Sequence, residues 1–200
     1  MVSVTIYVEG GGDSKELHIR CREGFRKLLE RCGFTGRMPK LVAGGGREQT
    51  FKYFCTAHGA SASNSIVCLL VDSEDPMTDI ERTWEHLKDR DDWDRPDGAT
   101  DEQVLMMTAC METWIVADRA ALRAHYGSNL NENQLPAVVN LETRGRQGIQ
   151  DALERATSQC SNNYQKGKRS FQVMAVLTRA TLEQHLPSFV RDMRILEATL

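Results

Sequence analysis

Four acidic residues stand where a divalent cation could be held: Glu9, Asp72, Glu74 and Asp75. Glu9 follows the β-branched run Val2–Val8 and is succeeded by Gly10-Gly11-Gly12, whereas Asp72 ends the apolar run Ser65–Val71 and leads into Ser73-Glu74-Asp75. Carboxylate oxygens are the hard donors that Mg2+ takes, and Mn2+ accepts the same set. If the backbone stays extended past Asp72, the side chains of Asp72 and Glu74 point the same way and Asp75 the opposite way. Glu9 then completes the metal set or moves a proton as a catalytic acid or base. The same residues also make good turns and helix caps, so on their own they leave both readings open.

Two further stretches carry candidates. Glu112 lies inside the apolar segment A-C-M-E-T-W-I-V-A-D. Burying an acid there is costly unless it is paired, so it is either a further active-edge carboxylate or an exposed residue beside a core Trp114. Tyr164-Gln165-Lys166-Gly167-Lys168-Arg169 is the densest basic cluster. It reads as a phosphate contact or as a solvated surface run. Gly10–Gly12 and Gly44–Gly46 lack the Lys-Ser/Thr of a Walker A loop and the G-x-G-x-x-G of a dinucleotide site, and they read as permissive turns. No histidine spacing suggests a metal site.

The elements that must position these residues alternate in type. Val2–Val8 reads as a strand, and a helix opening at Asp13 with Glu16 in a capping pair buries Leu17, Cys21, Phe25, Leu28 and Cys32 before Gly33. A short strand at Lys40–Ala43 and a helix at about Arg47–Ala57 precede Ser65–Val71, whose apolar character suits a strand buried on both faces. A helix near Thr78–Lys88, a strand at Val104–Thr108 and a helix over Met111–Ala117 follow. Residues Ser128–Arg146 read as loop, and amphipathic helices close the chain, the last with Pro187 in its first turn and Phe189, Val190, Met193 and Leu196 on its apolar side. The expected fold is α/β, a mostly parallel Rossmann-like sheet of about four strands flanked by helices, with a helical C-terminal part. The expected division is an α/β core over 1–120 and a mainly helical extension over 121–200. Ligands in such sheets collect at the carboxyl ends of the strands, where Glu9 and Asp72 fall.

Composition narrows the function. A net charge of −3 over 200 residues, with no basic half, argues against a protein that coats DNA by electrostatics alone. The six cysteines include no C-x-x-C pair, and most sit among apolar residues, as free thiols in a reducing compartment do. No apolar stretch approaches the ~18 residues that cross a bilayer. The chain is therefore expected to be soluble and cytoplasmic, without membrane association.

Taken in order, V-E-G-G-G-D (Val8–Asp13), L-L-V-D-S-E-D (Leu69–Asp75) and M-E-T-W-I-V-A-D (Met111–Asp118) resemble the motifs of the Toprim (topoisomerase–primase) superfamily. The similarity is greatest to small Toprim-like proteins associated with AAA or ABC-type ATPases in bacterial defence loci, with a weaker echo in Y-x-K-G at Tyr164–Gly167. The resemblance implies a Toprim-like fold and a Mg2+-dependent nuclease site. In it Glu9 matches the first-strand glutamate that serves as general acid or base, and Asp72 matches the first metal-holding aspartate. Glu74 stands where a second aspartate is expected, one methylene longer, and Asp75 is the substitute if the turn falls differently. Glu112 and Lys166 carry over as candidate catalytic residues. The partners implied are nucleic acid (DNA or RNA) and an AAA/ABC-type ATPase, with a homo-oligomer as a further expectation, in phage defence or a toxin-like system. The alternative is a non-catalytic module that binds nucleic acid or the ATPase.

Overall fold

The hydrophobic pattern of the chain builds a sheet that is buried on both faces. In the computed structural model, which describes residues 3–62, 64–167 and 169–200, four strands form this sheet: β1 (Ser3–Glu9), β2 (Lys40–Gly45), β3 (Ser65–Asp72) and β4 (Val104–Met107). Every neighbouring pair is parallel and the order is β2-β1-β3-β4. Val2 and Lys168, which belong to the strand and the basic cluster read from sequence, lie outside the described residues.

Alternate residues of each strand serve opposite faces. Val4, Ile6 and Val8 of β1, Cys68 and Leu70 of β3, and Leu105 and Met107 of β4 join one core. It is closed by Cys21, Phe25 and Leu28 of α1 (Lys15–Leu29) and by Phe189, Met193 and Leu196 of α9 (Pro187–Thr199). Val67, Leu69, Val71, Val104 and Met106 face the other core, with Phe54 of α2 (Arg47–Gly59) and Trp84 and Leu87 of α3 (Thr83–Asp91). A sheet covered on both sides has no reason to alternate apolar with polar residues, which is why β3 and β4 are almost wholly apolar.

The C-terminal elements are α4 (Met111–Ala117), α5 (Arg119–Tyr126), α6 (Arg146–Thr157), α7 (Ser170–Met174), α8 (Arg179–His185) and α9. The expected division at residue 120 falls inside α5, and the α9 side chains complete the same core as β1 and α1. Close packing fixes α7 against α1: a Cβ at Gly24 would lie 2.7 Å from the Phe171 carbonyl oxygen. The stretch before α6 contains short 3-10 turns at Gly127–Asn129, Glu132–Gln134 and Leu141–Thr143, the last anchored by buried Leu141.

Several local readings are corrected. Ser14, not Asp13, caps α1, its Oγ accepting from Leu17 N at 3.1 Å. The helix expected from Thr78 begins at Thr83, because Asp79 Oδ1 accepts from Glu81 N in a local turn while Asp101 Oδ1 accepts from Trp84 N and Thr83 Oγ1. That cap comes from a residue distant in sequence, which no local pattern announces. Val190 of α9 points outward, leaving Phe189, Met193 and Leu196 to the core.

Candidate metal centre

The strand order creates the site. The chain passes from β1 to β2 on one side, then returns to place β3 on the other side of β1, so the carboxyl ends of β1 and β3 flank a topological switch point. Glu9 is the last residue of β1 and Asp72 the last of β3. Glu9, Asp72 and Glu74 each offer a carboxylate oxygen, and the three oxygens lie within 4.8 Å of one another.

Local structure explains how Glu74 arrives there. The strand does not stay extended beyond Asp72. Ser73 N donates to Met107 O at 3.1 Å, Glu74 N donates to Ala109 O at 2.7 Å, and Glu74 takes a left-handed φ of 68°. Ser73 Oγ donates to Asp75 O at 2.6 Å and closes the turn. Glu74 is thus folded back towards Asp72, while Asp75 is solvent-exposed outside the trio and pairs with Arg90 Nε at 3.2 Å. Of the four acids read as a metal set, Asp75 is the one the turn sends elsewhere.

The two glycine runs frame this edge. Gly10 and Gly45 exchange backbone hydrogen bonds of 2.9 and 3.1 Å. Gly10 has φ 136°, and at Gly44 a Cβ would lie 2.3 Å from Thr50 Oγ1. The first needs glycine for its backbone angle and the second for close approach of α2.

Asp72 is buried, and its Oδ1 accepts from Met111 N at 2.8 Å. Burial pushes its carboxyl well above the usual carboxylate range, the negative charges of Glu9 and Glu112 push it further, and Lys166 and the Met111 amide pull it back. Glu112 and Lys166, far apart in sequence, therefore both act electrostatically on Asp72. Glu112 is fully buried, which overturns the exposed-face alternative. Tyr164 Oη donates to Glu112 Oε1, and Gln150 Nε2 donates to Oε2 at 3.1 Å. Tyr164 is buried too, so the aromatic of the basic cluster serves the acidic centre from inside.

Arginines complete the site, and sequence reading missed them. Arg47, the first residue of α2, donates through Nη1 to Glu9 Oε2 at 3.1 Å and to the Asp72 carbonyl oxygen. Its Nε and Nη2 bind both oxygens of Asp91 at 3.0 and 2.6 Å, and its guanidinium lies 4.9 Å from the Trp93 ring centroid. Arg90 Nη2 lies 3.6 Å from Glu74 Oε2, and Arg146 Nη1 pairs with the same oxygen. A basic residue directly after a glycine run at a strand's carboxyl end was a usable signal for Arg47. Arg90 and Arg146 had none.

Among the described residues, hydrogen bonds and ion pairs engage Oε2 of Glu9, Oδ1 of Asp72 and Oε2 of Glu74, leaving the second oxygen of each without such a partner. This donor set fits a hard divalent cation: three carboxylates, held from different elements, each with an oxygen to give. No helix among the described residues is long and apolar enough to cross a membrane.

No curated protein and no solved structure matches the chain. One family model does, over residues 8–196, a span that takes in every residue of the acidic centre from Glu9 to Lys166. The chain belongs to the family described as a domain of unknown function, DUF4276.

Proposed function

We propose that this protein is a Mg2+- or Mn2+-dependent phosphodiesterase acting on nucleic acid, with Glu9, Asp72 and Glu74 as its metal-holding residues. The observation that carries this reading is the convergence of three carboxylates at the switch point between β1 and β3. Acids are not gathered at a buried edge without cost. Asp72 is held against two further carboxylates in a desolvated position, an arrangement that bound positive charge relieves. When bound, the cation would supply Lewis acidity and a more acidic water for attack on a phosphodiester.

The remaining roles belong to the chain itself. Glu9 would give the cation its Oε1, because Oε2 is engaged by Arg47 and by Asp72 N at 3.3 Å. Glu112, clamped by Tyr164 and Gln150, fixes the field around Asp72, and Lys166 offsets it from the opposite sign. The ATPase partner and the setting in phage defence or a toxin-like system rest on the sequence resemblance alone.

A second reading, a non-catalytic module that binds nucleic acid or an ATPase, draws on the arginines. Arg47 already pairs with Glu9, and Arg90 and Arg146 with Glu74, so the trio is partly neutralised by protein. Purified protein incubated with single- and double-stranded DNA and RNA, with Mg2+, Mn2+ or chelator, separates the two. Metal-dependent cleavage lost in both Glu9→Gln and Asp72→Asn supports the phosphodiesterase. Nucleic-acid binding that survives both substitutions, without cleavage, supports the module.

A further inference from the structure

We infer that Arg90 and Arg146 form an anion clamp, exchanging the Glu74 carboxylate for a phosphate group when a divalent cation occupies the acidic trio. This rests on the metal reading above and goes further in assigning a second ligand, its residues and an order of binding.

The three arginines around the trio are not equivalent. Arg47 is pinned by a two-pronged pair with Asp91, by stacking near Trp93 and by the Asp72 carbonyl, and its side chain is only 15% exposed. Arg90 and Arg146 come from α3 and α6 and converge on a single atom, Glu74 Oε2, with side chains 30% and 31% exposed. Arg146 has no ion-pair partner other than Glu74 among the described residues. Arg90 divides its remaining contacts between Asp75 and Asp91.

A cation that takes Glu74 through its unengaged second oxygen draws charge from the carboxylate and so weakens both guanidinium contacts to Oε2. Release from Glu74 frees the Arg146 fork and the Nη2 of Arg90, whose Nε and Nη1 stay on Asp75 and Asp91, so that donors from two half-exposed guanidiniums face phosphate oxygens together. The shared ligand chemistry is a phosphoryl group, carried by a nucleic-acid backbone or by free phosphate. Coupling of this kind is reciprocal: phosphate must tighten the cation by the same factor as the cation tightens phosphate, typically about 5–150-fold.

The test follows Mn2+ binding from the free-ion paramagnetic resonance signal. It follows anion binding by calorimetry with inorganic phosphate and, separately, with a short phosphorothioate oligonucleotide that resists hydrolysis. The full chain is compared with Arg90→Ala, Arg146→Ala, the double variant, Arg146→Lys and, as a control, the exposed Arg95→Ala. We expect wild-type protein to bind the anion at least about fivefold tighter with Mn2+ present. The double variant binds Mn2+ more tightly than wild type, because Glu74 is freed, yet loses Mn2+-dependent anion binding. Arg146→Lys, which keeps charge but not the fork, falls between, and Arg95→Ala matches wild type. Binding of the oligonucleotide alone assigns a phosphodiester; binding of both assigns phosphoryl oxygens generally. Wild-type anion binding in the double variant, or a loss of Mn2+ affinity there, overturns the clamp while leaving the metal centre standing. Absence of Mn2+ binding by wild-type protein removes both.

Discussion

Two buried aspartates flank β4 on opposite sides, and their surroundings differ in kind. Asp192, on α9, accepts from Met106 N through Oδ2 at 3.1 Å and lies beside Arg191, whose Nη1 donates to Val104 O at 2.9 Å and whose Nη2 donates to Asp101 O at 2.7 Å. Together they cap the outer edge of the sheet and satisfy its backbone. Asp72, at the end of β3, also accepts one backbone N–H but has Glu9 and Glu112 as its charged neighbours. Burial raises both carboxyls well above their ordinary range. At Asp192 the leading neighbour, Arg191, pulls down; at Asp72 the leading neighbours push up. Burial alone therefore does not mark a functional acid. What sets Asp72 apart, and what the proposed metal site draws on, is burial among like charges with an oxygen left to give.

The largest expected effect lies on the structural side of this contrast. Asp192→Ala leaves the buried Met106 amide without its acceptor, while Arg191 keeps Glu81, Val104 O and Asp101 O, and it should cost about 3 kcal/mol of stability in denaturant melts. A loss below about 0.5 kcal/mol would remove the distinction from that end. Asp72→Asn should behave oppositely, leaving stability unchanged or higher while lowering Mn2+ affinity by more than about 100-fold, beyond the range of outer-shell changes.

pH sharpens the comparison further. Both aspartates keep a proton in the folded state at pH values where the unfolded chain has lost it. The stability each contributes is present below the unfolded carboxyl pKa and declines as pH rises through the folded value. Saturating Mn2+ should abolish the Asp72 share of this slope, since it displaces that proton, and leave the Asp192 share intact. Thermal melts across pH 4–8 (approximate limits set by the unfolded carboxyl value and neutrality), with and without metal, in wild type and Asp72→Asn, measure both. The smallest effect is expected for Tyr164→Phe, which removes one hydrogen bond to Glu112 and should shift Mn2+ affinity by about 10-fold with a stability loss near 1 kcal/mol.

Much of this architecture was legible in the residues. The β-branched run before Glu9 and the apolar run before Asp72 announced two strands with acids at their carboxyl ends, and the alternation with helices announced a parallel sheet. The order β2-β1-β3-β4, which sets those two ends side by side, is not written in any local pattern; it follows from the crossovers. Glu74 was legible as a member of the acidic trio on the wrong grounds, since a left-handed turn rather than an extended strand delivers it, and the same turn removes Asp75. Arg47, Arg90, Arg146 and Tyr164 meet partners 38, 16, 72 and 52 positions away, so their roles depend on packing that sequence periodicity does not encode.

The most direct test of the central claim is calorimetric titration of Mn2+ into wild-type protein beside Asp72→Asn and Asp192→Asn. The account predicts binding by wild type and Asp192→Asn, with proton release, and none by Asp72→Asn. Equal affinity in all three proteins, or no heat in any, would contradict it.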